Sequence, residues 1–167
     1  MRRLSLATVI LLAPTLAHAW GGDGHQYTAR LAVASLPDSA LKRSLMKNTD
    51  WFAVASSHPD RWRNRPDAAE NGRHFLDTER FGFGTDISKI PQDFAEVQKV
   101  RDYMKLRDDG VNPWTVRRIH ANLVLAMKQK RWADAYVQMA YLSHYIGDAH
   151  VPFHASENYD GQLSNPP

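Results

Sequence analysis

The chain of 167 residues contains no cysteine. Disulfide bonds are therefore excluded, and so is a cysteine thiolate acting as nucleophile or metal ligand. The chain also has little excess of charge of either sign, because its 21 Lys and Arg residues are nearly balanced by 18 Asp and Glu residues. Any attraction for a polyanion must then come from a local patch. One candidate patch, for which a solvated loop is the alternative interpretation, is the set of arginines Arg61, Arg63, Arg65 and Arg73.

Long apolar runs are absent except at the N-terminus. There a short cationic start precedes the apolar residues 4–16, and residues 17–19 form an Ala-x-Ala cleavage signal. This order is typical of a secretory signal peptide, and the run is shorter than the roughly 20 residues of a membrane span. We therefore expect residues 1–19 to be removed and the mature chain, 20–167, to be secreted or periplasmic. An uncleaved anchor is the alternative. Cleavage would give Trp20 a free α-amine.

Alternating β-patterns, internal repeats and low-complexity segments are also absent, and apolar residues instead recur every three to four positions. This periodicity predicts an all-α fold, and the length predicts a single domain over 20–167. From His58 to about Pro91 the sequence is loop-like, and loops of this length in compact domains are functional or disordered. The predicted helices are 26–36, a second capped by Asp38 or Ser39 and ending near Lys47, a third beginning near Trp51, one between Pro91 and Gly110, one opened by Pro113, and one from about Arg131 to Asp148 or Ala149.

The densest chemical signal is the segment 144–154, which reads His-Tyr-Ile-Gly-Asp-Ala-His-Val-Pro-Phe-His. His144 and Asp148 are four residues apart, so a helix places both side chains on one face. Imidazole nitrogen and carboxylate oxygen are donors that Zn²⁺ binds in proteins. Pro152 cannot continue the helix, so His154 lies beyond its end and can reach the same pocket from another side. The segment therefore predicts half of a metal site.

The other half must come from elsewhere in the chain. The candidates are Asp60, His74, His25 and the α-amine of Trp20. His25 follows Gly-Gly-Asp-Gly at 21–24, a backbone flexible enough to fold the chain end back toward it. A neutral α-amine, with an unperturbed pKa of about 7.7–8.0, is a suitable metal donor. Removal of the signal peptide would then create a ligand.

Four motifs span nearly the whole mature chain: Trp-Gly-x-x-Gly-His at 20–25, Asp-x-x-Arg at 60–63, His-Phe-Leu-Asp at 74–77 and His-x₃-Asp-x-His-x-Pro-x-His at 144–154. They resemble the zinc-dependent single-strand-specific nucleases and 3′-nucleotidases, which share a fold with the bacterial zinc phospholipases C. The short spacing between Trp20 and His25 resembles the nuclease branch more than the phospholipase branch. The resemblance implies a single helical domain that hydrolyses phosphodiester bonds of single-stranded nucleic acid or 3′-nucleotides by means of a metal-bound hydroxide.

The resemblance also implies three zinc ions in one cleft, two of them a close pair bridged by Asp148. One ion of the pair would take three side chains, and its neighbour would take the α-amine and carbonyl of the first mature residue. The third ion would need a further histidine and an acidic residue downstream. The implied ligands are Asp60, His74 and His144 for the first ion, Trp20 and His25 for the second, and His154 for the third.

Three further roles follow from the resemblance. Arg63 would clamp the phosphate and would act with Asp60 and Asp148 as a catalytic residue, since charge developing on the phosphoryl oxygens must be neutralised. Phe75 would stack on a base, and Asp77 would read it. Plainer interpretations also exist for three of these residues: Asp60 as a turn residue, Arg63 as a solvated loop charge, and Phe75 as a core aromatic.

The chain departs from the family pattern beyond His154. The third zinc site of the family needs a His-x₃-Asp/Glu pair further on, and the sequence reaches Asn165-Pro166-Pro167 without one. We expect a chain that is truncated at its C-terminus and has complete ligand sets for two zinc ions. Loss of the third site in a full-length protein is the alternative.

Two other functions stay open at this point. One is a zinc-dependent phospholipase C acting on phospholipid headgroups, and the other is an inactive, truncated zinc-binding remnant. No stable protein partner is predicted. His150 projects away from the face of His144 and Asp148 on a helix, so we expect it to pack or to form a hydrogen bond rather than to bind the metal.

Overall fold

The computed structural model describes residues 21–63, 69–83 and 86–164. The predicted signal peptide, 1–19, and the predicted ligand Trp20 lie outside the described residues. Within this part of the chain the structure is helical and contains no strand, which confirms the all-α prediction. The α-helices are α1 (Gly22–Ser35), α2 (Ala40–Lys47), α3 (Thr49–Ser56), α4 (His58–Trp62), α5 (Phe94–Val100), α6 (Tyr103–Asp109), α7 (Asn112–Lys128) and α8 (Trp132–Ala149).

Two helix starts follow capping signals in the sequence. Ser39 precedes α2, and its hydroxyl oxygen accepts a hydrogen bond from the Lys42 amide at 3.0 Å. This bond satisfies one of the amide groups that have no partner within the helix. Pro113 lies in the first turn of α7, where the missing N–H is not needed. Both features agree with the predicted starts.

Two segments predicted as irregular are helical. α1 begins four residues earlier than predicted, because the His25 amide donates to the Gly21 carbonyl at 3.2 Å and extends the helix. The predicted loop from His58 to about Pro91 begins with α4, because Pro59 occupies a first turn, where proline is tolerated. The rest of that segment contains short 3₁₀ turns at Asn71–Arg73, Thr78–Phe81 and Ile87–Lys89.

The single helix predicted between Pro91 and Gly110 is two helices, α5 and α6. Arg101, between them, has an extended backbone with φ −141° and ψ 129°. Asp102 then caps α6, and its carboxylate accepts a hydrogen bond from the Met104 amide at 2.9 Å. The apolar periodicity continues across the break, so it did not indicate that the Asp102 side chain would bind backbone amides and start a new helix.

Two buried apolar clusters hold the helices together. The first joins α1, α2, α3 and α8 through Ala29, Val33, Leu45, Phe52, Ala55 and Ala140. The second joins α5, α6, α7 and a 3₁₀ turn through Phe81, Val97, Leu106 and Trp114. α7 and α8 pack along each other, as helices joined by a short connection do. No described helix is long and apolar enough to cross a lipid bilayer.

Candidate metal centre

Asp148, near the end of α8, lies at the centre of a buried group of imidazoles. Its Oδ2 lies 2.9 Å from His74 Nδ1 and 3.2 Å from His144 Nε2. Its Oδ1 lies 3.3 Å from His25 Nε2 and 3.5 Å from His154 Nδ1. The side chain is 1% exposed. Each oxygen of one carboxylate therefore faces a different pair of histidines, which is the arrangement that a bridging ligand requires.

His144 lies one helical turn before Asp148 and is completely buried. Its Nδ1 donates to the carbonyl oxygen of Ser56, at 2.8 Å. Because a carbonyl oxygen can only accept, this bond leaves the lone pair on Nε2, which faces Asp148. α3 thus fixes the orientation of a ring that α8 carries. Sequence reasoning did not identify Ser56, since it acts through its backbone.

His74 follows a 3₁₀ turn, and it is held by a second carboxylate that sequence reasoning missed. Glu70 Oε1 lies 3.5 Å from His74 Nε2, and Glu70 is 3% exposed. The Tyr145 hydroxyl and the Arg73 guanidinium both bind the same Glu70 carboxylate. His74 therefore directs Nδ1 toward Asp148 while Glu70 faces its other nitrogen, as outer carboxylates do for metal-binding histidines.

His25 enters the group from α1. Its ring stacks on that of His144 with centroids 3.8 Å apart and an interplanar angle of 27°. Gly147 on α8 lies beside this ring, and a Cβ at that position would be in ordinary contact with His25 Nδ1 at 3.4 Å. The Ser56 hydroxyl donates to the His25 carbonyl at 3.2 Å. α1, α3 and α8 therefore meet at His25 with little free space.

Asp60 and Arg63 lie at the rim of the group. Asp60 is about one quarter exposed, and its Oδ1 lies 3.8 Å from His74 Nδ1 and 3.9 Å from His144 Nε2. Arg63 Nη1 lies 3.8 Å from Asp60 Oδ1. Arg63 is held in turn by Asn71, whose Oδ1 accepts from Nε at 3.2 Å and from Nη2 at 3.1 Å. The guanidinium is 37% exposed, so it can still reach a ligand. Sequence reasoning did not identify Asn71.

Burial and hydrogen bonding set the protonation of the group in opposite directions. Burial would raise the pKa of Asp148, but the surrounding imidazoles of His144, His25 and His74 outweigh it and hold that pKa far below its usual value. Burial lowers the pKa of His144 and of His154. An ionised carboxylate and neutral imidazoles are the forms that bind metal ions. For His74, hydrogen bonds to Asp148 and Glu70 outweigh burial and raise the pKa.

The donor chemistry of the group fits zinc. Two sets of three side chains each bring one ligand atom per residue within 4.8 Å of one another: His25, His144 and Asp148, and Asp60, His74 and His144. These are nitrogen and oxygen donors of the kind that zinc takes. We use the name metal centre for His25, Asp60, His74, His144 and Asp148. In the described residues no third set forms around His154, whose Nδ1 donates to the His74 carbonyl at 2.9 Å.

Phe75 and Asp77 follow His74 but do not join the metal centre. Phe75 is partly exposed, and its carbonyl accepts from the Asn112 amide at 3.1 Å. The pKa of Asp77 is raised to about 6 by burial and by the nearby charge of Glu79. His150 is exposed, and its Nδ1 donates to the Ile146 carbonyl at 2.7 Å, so it lies outside the centre too.

Comparison with known proteins places this geometry in a family. The chain is 25% identical over 170 residues to "Endonuclease 3" of Arabidopsis thaliana, an alignment that covers 96% of this chain and 52% of the relative. The chain therefore spans about half the length of the curated relative that it matches. No solved structure matches the chain significantly. Residues 20–162 match the S1/P1 nuclease family. Since that match includes every residue of the metal centre, the chain belongs to the S1/P1 nuclease family.

Proposed function

We propose that the chain is a zinc-dependent phosphoesterase that hydrolyses the phosphodiester bonds of single-stranded nucleic acid or the phosphate ester of 3′-nucleotides, and that it acts outside the cytoplasm after loss of residues 1–19. The observation that carries the proposal is the Asp148 carboxylate, whose two oxygens face separate pairs of imidazoles. Membership of a nuclease family supports the class of reaction. The name of the Arabidopsis relative supports the class of substrate.

The proposal assigns two zinc ions to the described ligands and to Trp20. Asp60, His74 and His144 would hold one ion, and His25 with the α-amine and carbonyl of Trp20 would hold the other. Asp148 would bind both. When bound, zinc supplies Lewis acidity, which activates water and polarises phosphoryl oxygen. A third ion at His154 would need ligands beyond those that the described residues provide.

The protein residues have distinct tasks in this proposal. Ser56 and Glu70 keep the imidazoles of His144 and His74 oriented, so that the ligand geometry exists before substrate arrives. Arg63, fixed by Asn71 at the rim, would donate to the non-bridging oxygens of the phosphate. Phe75 would provide a stacking surface and Asp77 a hydrogen-bonding group for the base.

The test is hydrolysis by purified protein whose first residue is verified as Trp20. We expect release of acid-soluble nucleotides from single-stranded DNA or RNA, with two zinc ions per chain by elemental analysis. Asp148→Asn should lose both ions and lower the rate roughly a thousandfold, since metal-ion catalysis contributes several kcal/mol. Asp134→Asn is the matched control, because Asp134 lies on the same helix and pairs with Arg131 at the surface.

The other outcomes separate the alternatives. Turnover of phosphatidylcholine without nucleic-acid hydrolysis would select a phospholipase C. Binding of zinc without turnover of either substrate would leave a metal-binding chain without this activity. Retention of both ions by Asp148→Asn would contradict the bridging role.

A further inference from the structure

A cavity lies between the segment that carries His74 and the helices α5, α6 and α7. Its volume is about 250 Å³. Three arginines and three aromatic residues dominate its lining: Arg73, Arg107, Arg118, Phe94, Tyr103 and Trp114. We call this cavity the arginine pocket. It shares no residue with the metal centre.

The charge of the arginine pocket is of one sign. Among the described residues, its lining contains three guanidinium groups and no carboxylate. Arg73 pairs with Glu70 and Arg107 with Asp108, but neither acidic residue lines the cavity. Arg118 forms no hydrogen bond or ion pair with any other residue of the described chain, and its side chain is exposed. Planar guanidinium groups bind phosphate through paired hydrogen bonds, so the pocket favours a phosphorylated ligand.

Aromatic rings form the other wall of the pocket. Trp114 is fixed, because its indole N–H donates to the Pro91 carbonyl at 3.2 Å and its ring lies 5.8 Å from that of Phe94. Tyr103 is 53% exposed. Aromatic side chains bind nucleobases by stacking, which contributes about 1–3 kcal/mol per base. Arginine and aromatic surfaces side by side therefore match a ligand that combines a base with a phosphate.

Close backbone contacts fix the segment that carries Arg73, which forms one side of the pocket. The Val111 amide donates to the Gly72 carbonyl at 2.6 Å, and Asn112 Nδ2 donates to the Arg73 carbonyl at 3.2 Å. A Cβ on Gly72 would lie 2.1 Å from the carbonyl oxygen of Arg107. The backbone that carries Arg73 is thus fixed against α6 and α7, so this part of the pocket is formed before a ligand binds.

We propose that the arginine pocket is a nucleotide site separate from the metal centre, which binds one base with its phosphate. The proposal rests on the proposed function for the class of ligand, because nucleotides are both the building blocks of that substrate and its products. The ligand could be a free mononucleotide or one nucleotide of a bound strand. Both present the same base and phosphate.

The test is calorimetric titration of the zinc-loaded protein with adenosine 5′-monophosphate and, separately, with inorganic phosphate. Arg118→Gln should weaken both ligands about tenfold or more, because it removes a charge-assisted hydrogen bond. Tyr103→Ala should weaken only the nucleotide, about fivefold or more, because it removes a stacking surface. Arg117→Gln is the matched control, because Arg117 neighbours Arg118 on α7 but donates to the Gln92 carbonyl outside the pocket.

Unchanged binding of adenosine 5′-monophosphate by both Arg118→Gln and Tyr103→Ala would overturn the proposal. A phosphorothioate oligonucleotide, which resists hydrolysis, identifies the source of the ligand. If the variants also weaken the oligonucleotide, the pocket binds a nucleotide of the strand; if they weaken the mononucleotide alone, it binds the free product.

Cleavage of single-stranded DNA by the same preparations distinguishes the two proposals. Cleavage together with nucleotide binding that neither variant affects overturns the arginine pocket alone. Nucleotide binding that both variants weaken, without cleavage, overturns the proposed function alone.

Discussion

The metal centre and the arginine pocket meet at one short segment, and that segment gives each site a residue of different chemistry. Within residues 69–75, His74 enters the metal centre while Arg73 lines the pocket. The ligands of the centre are imidazoles and carboxylates, of which His74 and His144 are completely buried. The pocket presents guanidinium groups that stay about one third exposed at Arg73 and Arg107. Neighbouring residues thus provide donors for a cation and for an anion.

The difference follows from the chemistry of the two ligands. A metal ion must be held by dehydrated donors at fixed distances, so its ligands are buried and their outer nitrogens are bound. A phosphate is held by long, flexible arginines that can keep contact with water. Glu70 connects the two, because its carboxylate faces His74 on one side and Arg73 on the other. Substitutions in this segment should therefore separate the two sites or damage both.

The largest effect should come from Gly72→Ala, in the segment that carries Arg73 of the arginine pocket and His74 of the metal centre. The added methyl group would lie 2.1 Å from the backbone oxygen of Arg107, and backbone cannot move aside cheaply. We expect a loss of about 3 kcal/mol in the free energy of unfolding, or roughly 10 °C in melting temperature. Calorimetry measures the stability, and both zinc content and nucleotide affinity should fall.

Gly22→Ala is the control for this substitution. Among the described residues, the same methyl group would meet Ser57 Cβ, between α3 and α4, at 3.7 Å, an ordinary contact. Its melting temperature should stay the same or rise slightly, because alanine favours helix. A melting temperature of Gly72→Ala within about two degrees of the parent protein would contradict the close contact between this segment and α6.

Local sequence rules predicted the parts of the centre that lie on one helix. His144 and Asp148 lie one turn apart, as their spacing requires. The cap at Ser39 and the start at Pro113 were also readable, because each depends on neighbouring residues only. Glu70, Ser56 and Asn71 were not identified. Glu70 lies only four residues before His74, but in a segment predicted as a loop, where that spacing does not fix a contact. Asn71 lies eight residues from Arg63, and Ser56 contacts the distant His144 through its backbone. The prediction for Trp20 remains a prediction.

An effect of intermediate size is expected for Glu70→Gln, which should lower the zinc affinity of the metal centre and raise the nucleotide affinity of the arginine pocket. The amide keeps the shape of Glu70 but loses the negative charge that faces His74 Nε2, so zinc affinity should fall about 10–100-fold. Arg73 would lose its carboxylate partner and become more available to phosphate. Affinity for adenosine 5′-monophosphate should therefore rise by up to about fivefold.

Competition with a chromophoric zinc chelator and calorimetric titration measure these two affinities. Glu96→Gln is the control, because Glu96 forms an exposed ion pair with Lys99 on α5 at 2.6 Å, away from both sites. If Glu70→Gln bound zinc as tightly as the parent protein, Glu70 would serve only to anchor the Tyr145 hydroxyl. A fall in nucleotide affinity would mean that Glu70 orients Arg73 rather than competing for it.

The smallest effect is expected for substitution of Asp77, which lies near several other acidic residues. Burial raises its pKa to about 6, with Glu79, Asp109 and Glu157 adding to the rise and Arg80 opposing it. Between about pH 4 and pH 6 the unfolded chain loses this proton before the folded protein does, so stability falls as the pH rises. Above pH 6 both states are ionised and the penalty is constant.

Asp77→Asn should therefore raise the melting temperature at pH 7.5 by roughly 3 °C, and the difference should vanish at about pH 3, below the unfolded pKa of 3.8, where both states of the parent protein carry the proton. Asp38→Asn is the control, because the Asp38 carboxylate is 97% exposed and should give no difference at either pH. A gain for Asp77→Asn that was equal at both pH values would show that the substitution acts through packing. A gain confined to high pH would instead show that this carboxylate is held in an environment that disfavours its charge. Asp77 lies only three residues after His74, yet burial raises the pKa of Asp77, while in the metal centre the buried carboxylate of Asp148 stays ionised.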